Sequence, residues 1–365
     1  MITSKQSEIP ALTGIRAVAA YAVVAHHFRQ EWETLVPALG NLSFISENGG
    51  YGVSLFFILS GFILTYVYDS LLNPLTLSGY RSFVWNRFCR IYPVHFSILL
   101  FLVLTVGIAQ WKGFKYPVDQ FPWSDLPWHF TMLQAWGIVN PMHWNYPSWS
   151  ISAEWFAYTL VFPIFLPWTR WIHGRAPLAI TTFLLLSLYL FLLQRGFIPM
   201  WSGPLVQIGF LFVSGILLAR MRLLISTKIG EGLCWVGLTA VLLSFYELHK
   251  GESRVWEIAM LSGFAAIILG LSRADGIMGR GMSNRGIVYL GTISYSLYMT
   301  HTVTSIFLRA LFPIQKYGDS SMAKKGGVFL IEFLVVTLVA ALCYHIIEVP
   351  IRERLRRSGG RKSLI

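Results

Sequence analysis

Blocks of about twenty apolar residues recur along this chain, and no other feature constrains its fold so tightly. A helix of about 20 residues crosses the roughly 30 Å hydrocarbon core of a bilayer. In that solvent each backbone N–H and C=O must find its partner inside its own segment, so an apolar block of this length is read as a helix. Ten such spans are expected, at residues 11–28, 50–68, 92–110, 148–168, 177–194, 203–219, 230–248, 254–272, 287–311 and 326–348. The chain is 55% hydrophobic and only 13% charged, with a mean hydropathy of +0.57 over 365 residues. A soluble domain carries about one quarter charged residues. The expected fold is therefore all-α: a polytopic integral membrane protein of about ten transmembrane helices. Segment 127–138 is apolar but short and aromatic, which fits a re-entrant or interfacial piece.

The charges give the orientation. With the N-terminus inside, the cytoplasmic segments hold 18 Lys and Arg residues and the opposite loops hold 9. That bias satisfies the positive-inside rule with both termini cytoplasmic. An eleventh span at 127–138 would invert every later loop and spoil it. The net charge of +12 comes from these short loops, so a nucleic-acid surface is disfavoured. The polar start MITSKQSEIP and the absence of a small-residue cleavage site argue against a cleavable signal peptide. Cys89, Cys234 and Cys343 are solitary, without disulfide or metal spacing, and no metal is expected. Residues 1–365 read as one membrane domain, with a long extracytoplasmic aromatic loop at 111–147 and a basic cytoplasmic tail at 349–365.

Ionisable residues inside a span are expensive and mark functional paths. The first span carries Arg16, His26 and His27. Eleven helical steps return His27 to nearly the face of Arg16, about 16 Å further along the axis, while His26 falls about 80° away. His27 is thus the candidate general base and His26 is not. Glu154, about two turns into the fourth span from the same side, is the expected carboxylate partner that would orient His27 and raise its basicity. At the cytoplasmic mouth, Arg87 and Arg90 share a helix face as an i, i+3 pair, a geometry suited to phosphate, with ordinary positive-inside anchoring as the plainer reading. Ser60 and Gly61 in the second span offer a close approach to a thin ligand, with small-residue helix packing as the plainer reading. Tyr298 and His301 share a face of the ninth span. In and beside the outer loop, Trp144, Asn145, Trp149 and Ser150 are candidates for stacking on and bonding to a polyhydroxylated acceptor. An interfacial tryptophan belt is the competing explanation.

These motifs resemble the acyltransferase-3 family of bacterial membrane O-acyltransferases, nearly end to end. The resemblance rests on Arg16 and His27 in the first span, FFILSGF in the second, RFCR before the third, WSISAE in the fourth and SYSLYMTH in the ninth. It implies transfer of an acyl group, most often acetyl, from cytoplasmic acyl-CoA to a hydroxyl across the membrane. The typical acceptors are sugars of exopolysaccharides, lipopolysaccharides or related glycans, and the setting is the bacterial inner membrane. The family's essential Arg and His map to Arg16 and His27, and its RxxR pair to Arg87 and Arg90. Arg16, Arg87, Arg90, Ser60, Gly61, Tyr298 and His301 are then expected along the path of acetyl-CoA, with His27 and Glu154 catalytic. Thr13 stands where members often have Asp, which leaves the partner of Arg16 open. No fused hydrolase-like domain is read in the chain, so the membrane unit is expected to complete the transfer. A direct attack by the acceptor hydroxyl is expected rather than a seryl intermediate on Ser60. The alternative is a transporter or flippase for a lipid-linked sugar, against which stands the lack of an inverted repeat.

Overall fold

The computed structural model describes residues 8–199, 202–251, 255–317 and 320–358. Lys5, Arg254, Arg361 and Lys362, which enter the charge count above, lie outside the described residues, as do the first seven residues of the chain. Among the described residues the fold is all-helical, with no strand. Ten main helices follow in order: α1 Pro10–His27, α2 Gly52–Tyr68, α3 Leu77–Lys112, α4 Ser148–Thr169, α5 Arg175–Gln194, α6 Gly203–Met221, α7 Thr227–His249, α8 Val255–Leu271, α9 Ser294–Leu311 and α10 Met322–Cys343. A turn at Tyr344–Glu348 carries α10 on into a tail helix, Val349–Ser358. Among the described residues, seven helical stretches are long and apolar enough to cross a membrane: those containing α2, α3, α4, α5, α6, α7 and α10. The remaining three expected spans are short or polar. The helix α8 has 17 residues, α1 holds Arg16, His26 and His27, and α9 is rich in Ser, Thr and Tyr besides His301.

Local chemistry sets the breaks. Pro10 starts α1, where its missing N–H would have had no partner anyway. Thr76 caps α3 by accepting from the Gly79 N–H at 3.1 Å, and Gly113 ends it in the left-handed region at φ 71°. At 36 residues, α3 begins well before the apolar block at 92–110, so its first turns project beyond it. Within α4, Pro163 has no N–H for the carbonyl of Thr159, and the wide turn 157–161 precedes it. The Tyr80 hydroxyl donates to that freed Thr159 carbonyl at 2.7 Å. The expected span 287–311 is broken at Ile293 into Arg285–Thr292 and α9. Segment 127–138 does not span: a short helix, Leu126–Phe130, and turns fold the loop back onto α3, where His95 bonds the His129 carbonyl at 2.7 Å.

The core is knit by close helix crossings. The helix α1 packs on Arg285–Thr292, α2 and α9, while α2 packs along α6 and α7 along α8. At the α2–α6 crossing a Cβ on Gly61 would sit 2.0 Å from the Phe212 carbonyl oxygen, and one on Gly215 would sit 2.0 Å from that of Ile58. Both glycines let two backbones touch. This corrects the expectation that Gly61 lines a ligand passage: its bare face is spent on packing against α6.

Candidate functional site

A cavity of ≈ 140 Å³ lies between α1, α2, α3, α4 and α9. Arg16, Ser60, Arg87, Arg90, Ser150, Glu154, Tyr158, Ser294, Tyr295 and Tyr298 supply its polar wall, and Phe56, Phe57, Ile63 and Ile91 are among its apolar lining. Most of the polar residues singled out in the sequence are therefore gathered at one place. Ser60 donates from its hydroxyl to Glu154 Oε1 at 2.8 Å, and the Tyr158 hydroxyl stands 3.4 Å from Ser60 Oγ. Arg16 and Glu154 both line this cavity, without an ion pair within 4 Å between them among the described residues. Higher in the cavity, the Ser150 hydroxyl donates to the Tyr298 hydroxyl at 2.8 Å, and Tyr298 donates to the Pro147 carbonyl at 3.1 Å.

The expected His27–Glu154 pair does not form. Ser150 and Tyr298 touch and so share a level. Glu154 lies four residues deeper along α4 and His301 three residues outward along α9, a separation in depth of about 10 Å at 1.5 Å per residue. His27 meets His301 instead, its Nδ1 standing 3.0 Å from His301 Nε2 and 3.0 Å from the Val23 carbonyl oxygen. Helical phase gives the face a residue occupies but not which neighbouring helix meets it, and α9 rather than α4 stands opposite His27. His26 points elsewhere, bonding the Ser46 carbonyl at 3.0 Å.

The partners of the two imidazoles assign their tautomers. His301 Nδ1 faces the Tyr298 carbonyl at 2.6 Å, an acceptor only, so that nitrogen carries the proton. His301 Nε2 is then an acceptor, and His27 Nδ1–H must point to it and to the Val23 carbonyl. His27 Nε2 keeps its lone pair free. The ring of Tyr146, which is 45% exposed, stands edge-on to His27 with centroids 5.4 Å apart. This arrangement can take a proton from a hydroxyl that docks beside Tyr146.

At the opposite end of the cavity the arginines are not equivalent. Arg90 is tied to Glu348, a fully buried carboxylate that also accepts from Arg352 at 3.1 Å and from the Ser296 hydroxyl at 2.7 Å. Arg90 also lies over the Tyr295 ring, 5.3 Å from its centroid. Arg87 has no carboxylate partner among the described residues. It donates to the Tyr68 hydroxyl at 2.9 Å, and its buried Nε has no partner. The pair expected to act together is thus split by Glu348.

The acceptor candidates divide too. Trp144 is 5% exposed, held by its indole N–H on the Pro122 carbonyl at 3.0 Å and by edge contacts with Phe121 and Trp123. Asn145 is buried and bridges to α9, donating to the Met299 carbonyl at 3.3 Å and accepting from Thr302 at 3.2 Å. Trp149 packs edge-on to Phe57. Of the four, only Ser150 reaches the cavity, so Trp144 and Asn145 are better read as the pins that hold the loop on α9 than as a stacking surface. Sequence reasoning missed Tyr146, Tyr158 and Glu348. Glu348 left a signal: a single carboxylate at the inner end of the last span, one turn before a run of arginines.

A family model described as an acyltransferase domain matches residues 9–347. The acyltransferase MdmB of Streptomyces mycarofaciens is 27% identical over 96% of this chain and 93% of its own length. The O-acetyltransferase OatA of Staphylococcus aureus is 24% identical over 95% of this chain, and YrhL of Bacillus subtilis, provisionally named a peptidoglycan O-acetyltransferase, is 26% identical over 100% of it. The chain spans 57% of the length of OatA and 58% of that of YrhL. No solved structure matches the chain. Its motifs, its all-helical fold and a family match running almost from end to end place this chain in the acyltransferase-3 family.

Proposed function

We propose that this protein is a membrane-bound O-acyltransferase that moves an acyl group, acetyl in the first instance, from cytoplasmic acyl-CoA to a hydroxyl of an extracytoplasmic glycan such as peptidoglycan or an exopolysaccharide. In this reading residues 1–365 form one membrane domain of ten spans, with both termini cytoplasmic, in a bacterial inner membrane. The observation that carries it is the polar route through the helices. Arginines stand at one end of the cavity, Ser60, Glu154 and Tyr158 lie midway, and the His27–His301 pair lies beyond Tyr298 toward the aromatic loop. The names of OatA and YrhL support O-acetylation and, for YrhL, a glycan acceptor.

The chemistry then follows from the chain's own groups. The acceptor hydroxyl docks beside Tyr146 and gives its proton to His27 Nε2. Its oxygen forms a bond to the thioester carbonyl carbon, and the C–S bond breaks with its electron pair leaving on sulfur. His27 returns the proton to that thiolate, so the products are an ester and a free thiol. His301 steadies the imidazolium by accepting from its Nδ1–H, a bond that strengthens as the charge forms. Glu154 holds Ser60 along the route of the thioester. Purified protein given acetyl-labelled acetyl-CoA and a panel of peptidoglycan fragments and oligosaccharides should transfer label to the glycan, and a His27→Ala variant should not. Uptake of glycan without transfer would instead identify a carrier.

A further inference from the structure

The tail helix brings arginines to the same mouth that holds Arg87. Arg352, Leu355 and Arg356 are half-buried, as are Val349, Pro350 and Ile351 at the start of the tail helix, and the helix packs against α3. Arg356 lies within electrostatic range of Arg87, Arg352 and Tyr68, and its buried Nε has no partner. Four guanidiniums, those of Arg87, Arg90, Arg352 and Arg356, thus crowd one mouth. The one carboxylate bonded among them is Glu348, shared by Arg90 and Arg352. The tail's Glu353 faces solvent and pairs with Arg357 at 3.7 Å. Arg16 further in shares the cavity wall with Glu154. Arg87 and Arg356 are therefore left on two packed helices at one mouth, each with a buried Nε–H that has no partner and with no carboxylate bonded to it among the described residues. Like charges held together in a partly dry site are unfavourable unless an anion joins them, and planar guanidiniums suit phosphate oxygens best.

We infer that Arg87 of α3 and Arg356 of the tail helix form a two-sided phosphate clamp, with the Glu348–Arg90–Arg352 network as the frame that holds the tail helix against the cavity mouth. The ligand is a phosphate ester. It comes from the nucleotide end of the acyl donor if the function proposed above is correct, and the clamp rests on that reading only for this choice of source. The tail helix is then part of the binding site rather than a topology signal.

Full-length protein in detergent would be titrated with adenosine 3′,5′-bisphosphate and with inorganic phosphate. In nanodiscs it would be compared in phosphatidylglycerol and phosphatidylcholine. Binding of a phosphate probe should weaken about ten- to hundredfold in Arg356→Gln and in Arg87→Gln, the usual worth of a charge-assisted bond. It should be partly restored in Arg356→Lys and unchanged in Arg354→Gln, an exposed position on the same helix. Preference for the bisphosphate supports the donor as the source. Arg356-dependent preference for phosphatidylglycerol alone keeps the clamp but overturns the donor assignment. The clamp itself is overturned if the parent binds none of the probes. It is equally overturned if folded Arg356→Gln binds the bisphosphate as tightly as the parent, a result that would leave the donor reading intact.

Discussion

Replacing His301 tests whether the His27–His301 contact does chemical work. In the resting protein the bond between the two rings joins neutral groups at 3.0 Å and contributes about 0.5–1.5 kcal/mol. In the transition state His27 carries a proton and the same bond is charge-assisted, contributing about 1.5–3 kcal/mol. Only the difference, roughly 1–1.5 kcal/mol, lowers the barrier, because catalysis draws on interactions stronger in the transition state than in the ground state. His301→Ala should therefore reduce kcat about five- to twelvefold with KM for the donor unchanged, at about 1.4 kcal/mol per factor of ten. The Val23 carbonyl still holds His27 Nδ1–H, which keeps the loss this small. His27→Ala removes the base itself and should cost about 10²–10⁴-fold. His301→Gln is the diagnostic variant: its amide can donate to the Tyr298 carbonyl and accept from His27 Nδ1–H, so it should recover most of the activity. Initial rates of acetyl transfer by folded protein measure all three. The reasoning fails if His301→Ala falls as far as His27→Ala without rescue by Gln, or if it loses nothing.

Further outcomes follow from the packing. Glu348→Ala leaves Arg90 and Arg352 without their buried carboxylate and should destabilise the protein by about 3–5 kcal/mol, read as a lowered midpoint of unfolding in detergent. Gly61→Ala forces a Cβ against the Phe212 carbonyl and should lower stability, while any protein that folds keeps its donor affinity. Weaker donor binding without a stability change would restore Gly61 to the ligand path. Tyr146→Ala should raise KM for the glycan with little change in folding, because its ring is exposed beside His27. Trp144→Ala should instead loosen the loop at a cost of about 3–5 kcal/mol, seen as faster proteolysis of residues 113–147.

The helices and the cavity differ in how far the sequence revealed them. Apolar block length located the seven stretches long and apolar enough to cross a membrane, because length and apolarity are local properties of the chain; α1, α8 and α9 are helices too, but short or polar ones. The break at Ile293 and the wide turn before Pro163 modify two of the ten helices for reasons of backbone hydrogen bonding that block length does not express. The RFCR and SYSLYMTH motifs marked residues that do line the cavity or stand beside it: Arg87, Arg90, Tyr295, Tyr298 and His301. Pairing was not legible. The sequence puts Glu154 and His27 near one face of the membrane, yet about two turns of depth separate them and α9 stands opposite His27. Gly61 looked free because its partner is the backbone of α6, 151 residues away. Trp144 looked like a stacking surface because an interfacial tryptophan and a buried one have the same letter; its 5% exposure decides between them.

The account's central claim is a vectorial transfer from the arginine side to the His27 side, and sealed vesicles with the protein in one orientation test it most directly. With labelled acetyl-CoA supplied on the side bearing the tail helix and glycan on the side bearing loop 111–147, acetyl ester should accumulate on the glycan in proportion to intact protein, and His27→Ala should abolish it. Ester formed when donor and glycan are both confined to the tail-helix side, or equal transfer by His27→Ala, would contradict the claim.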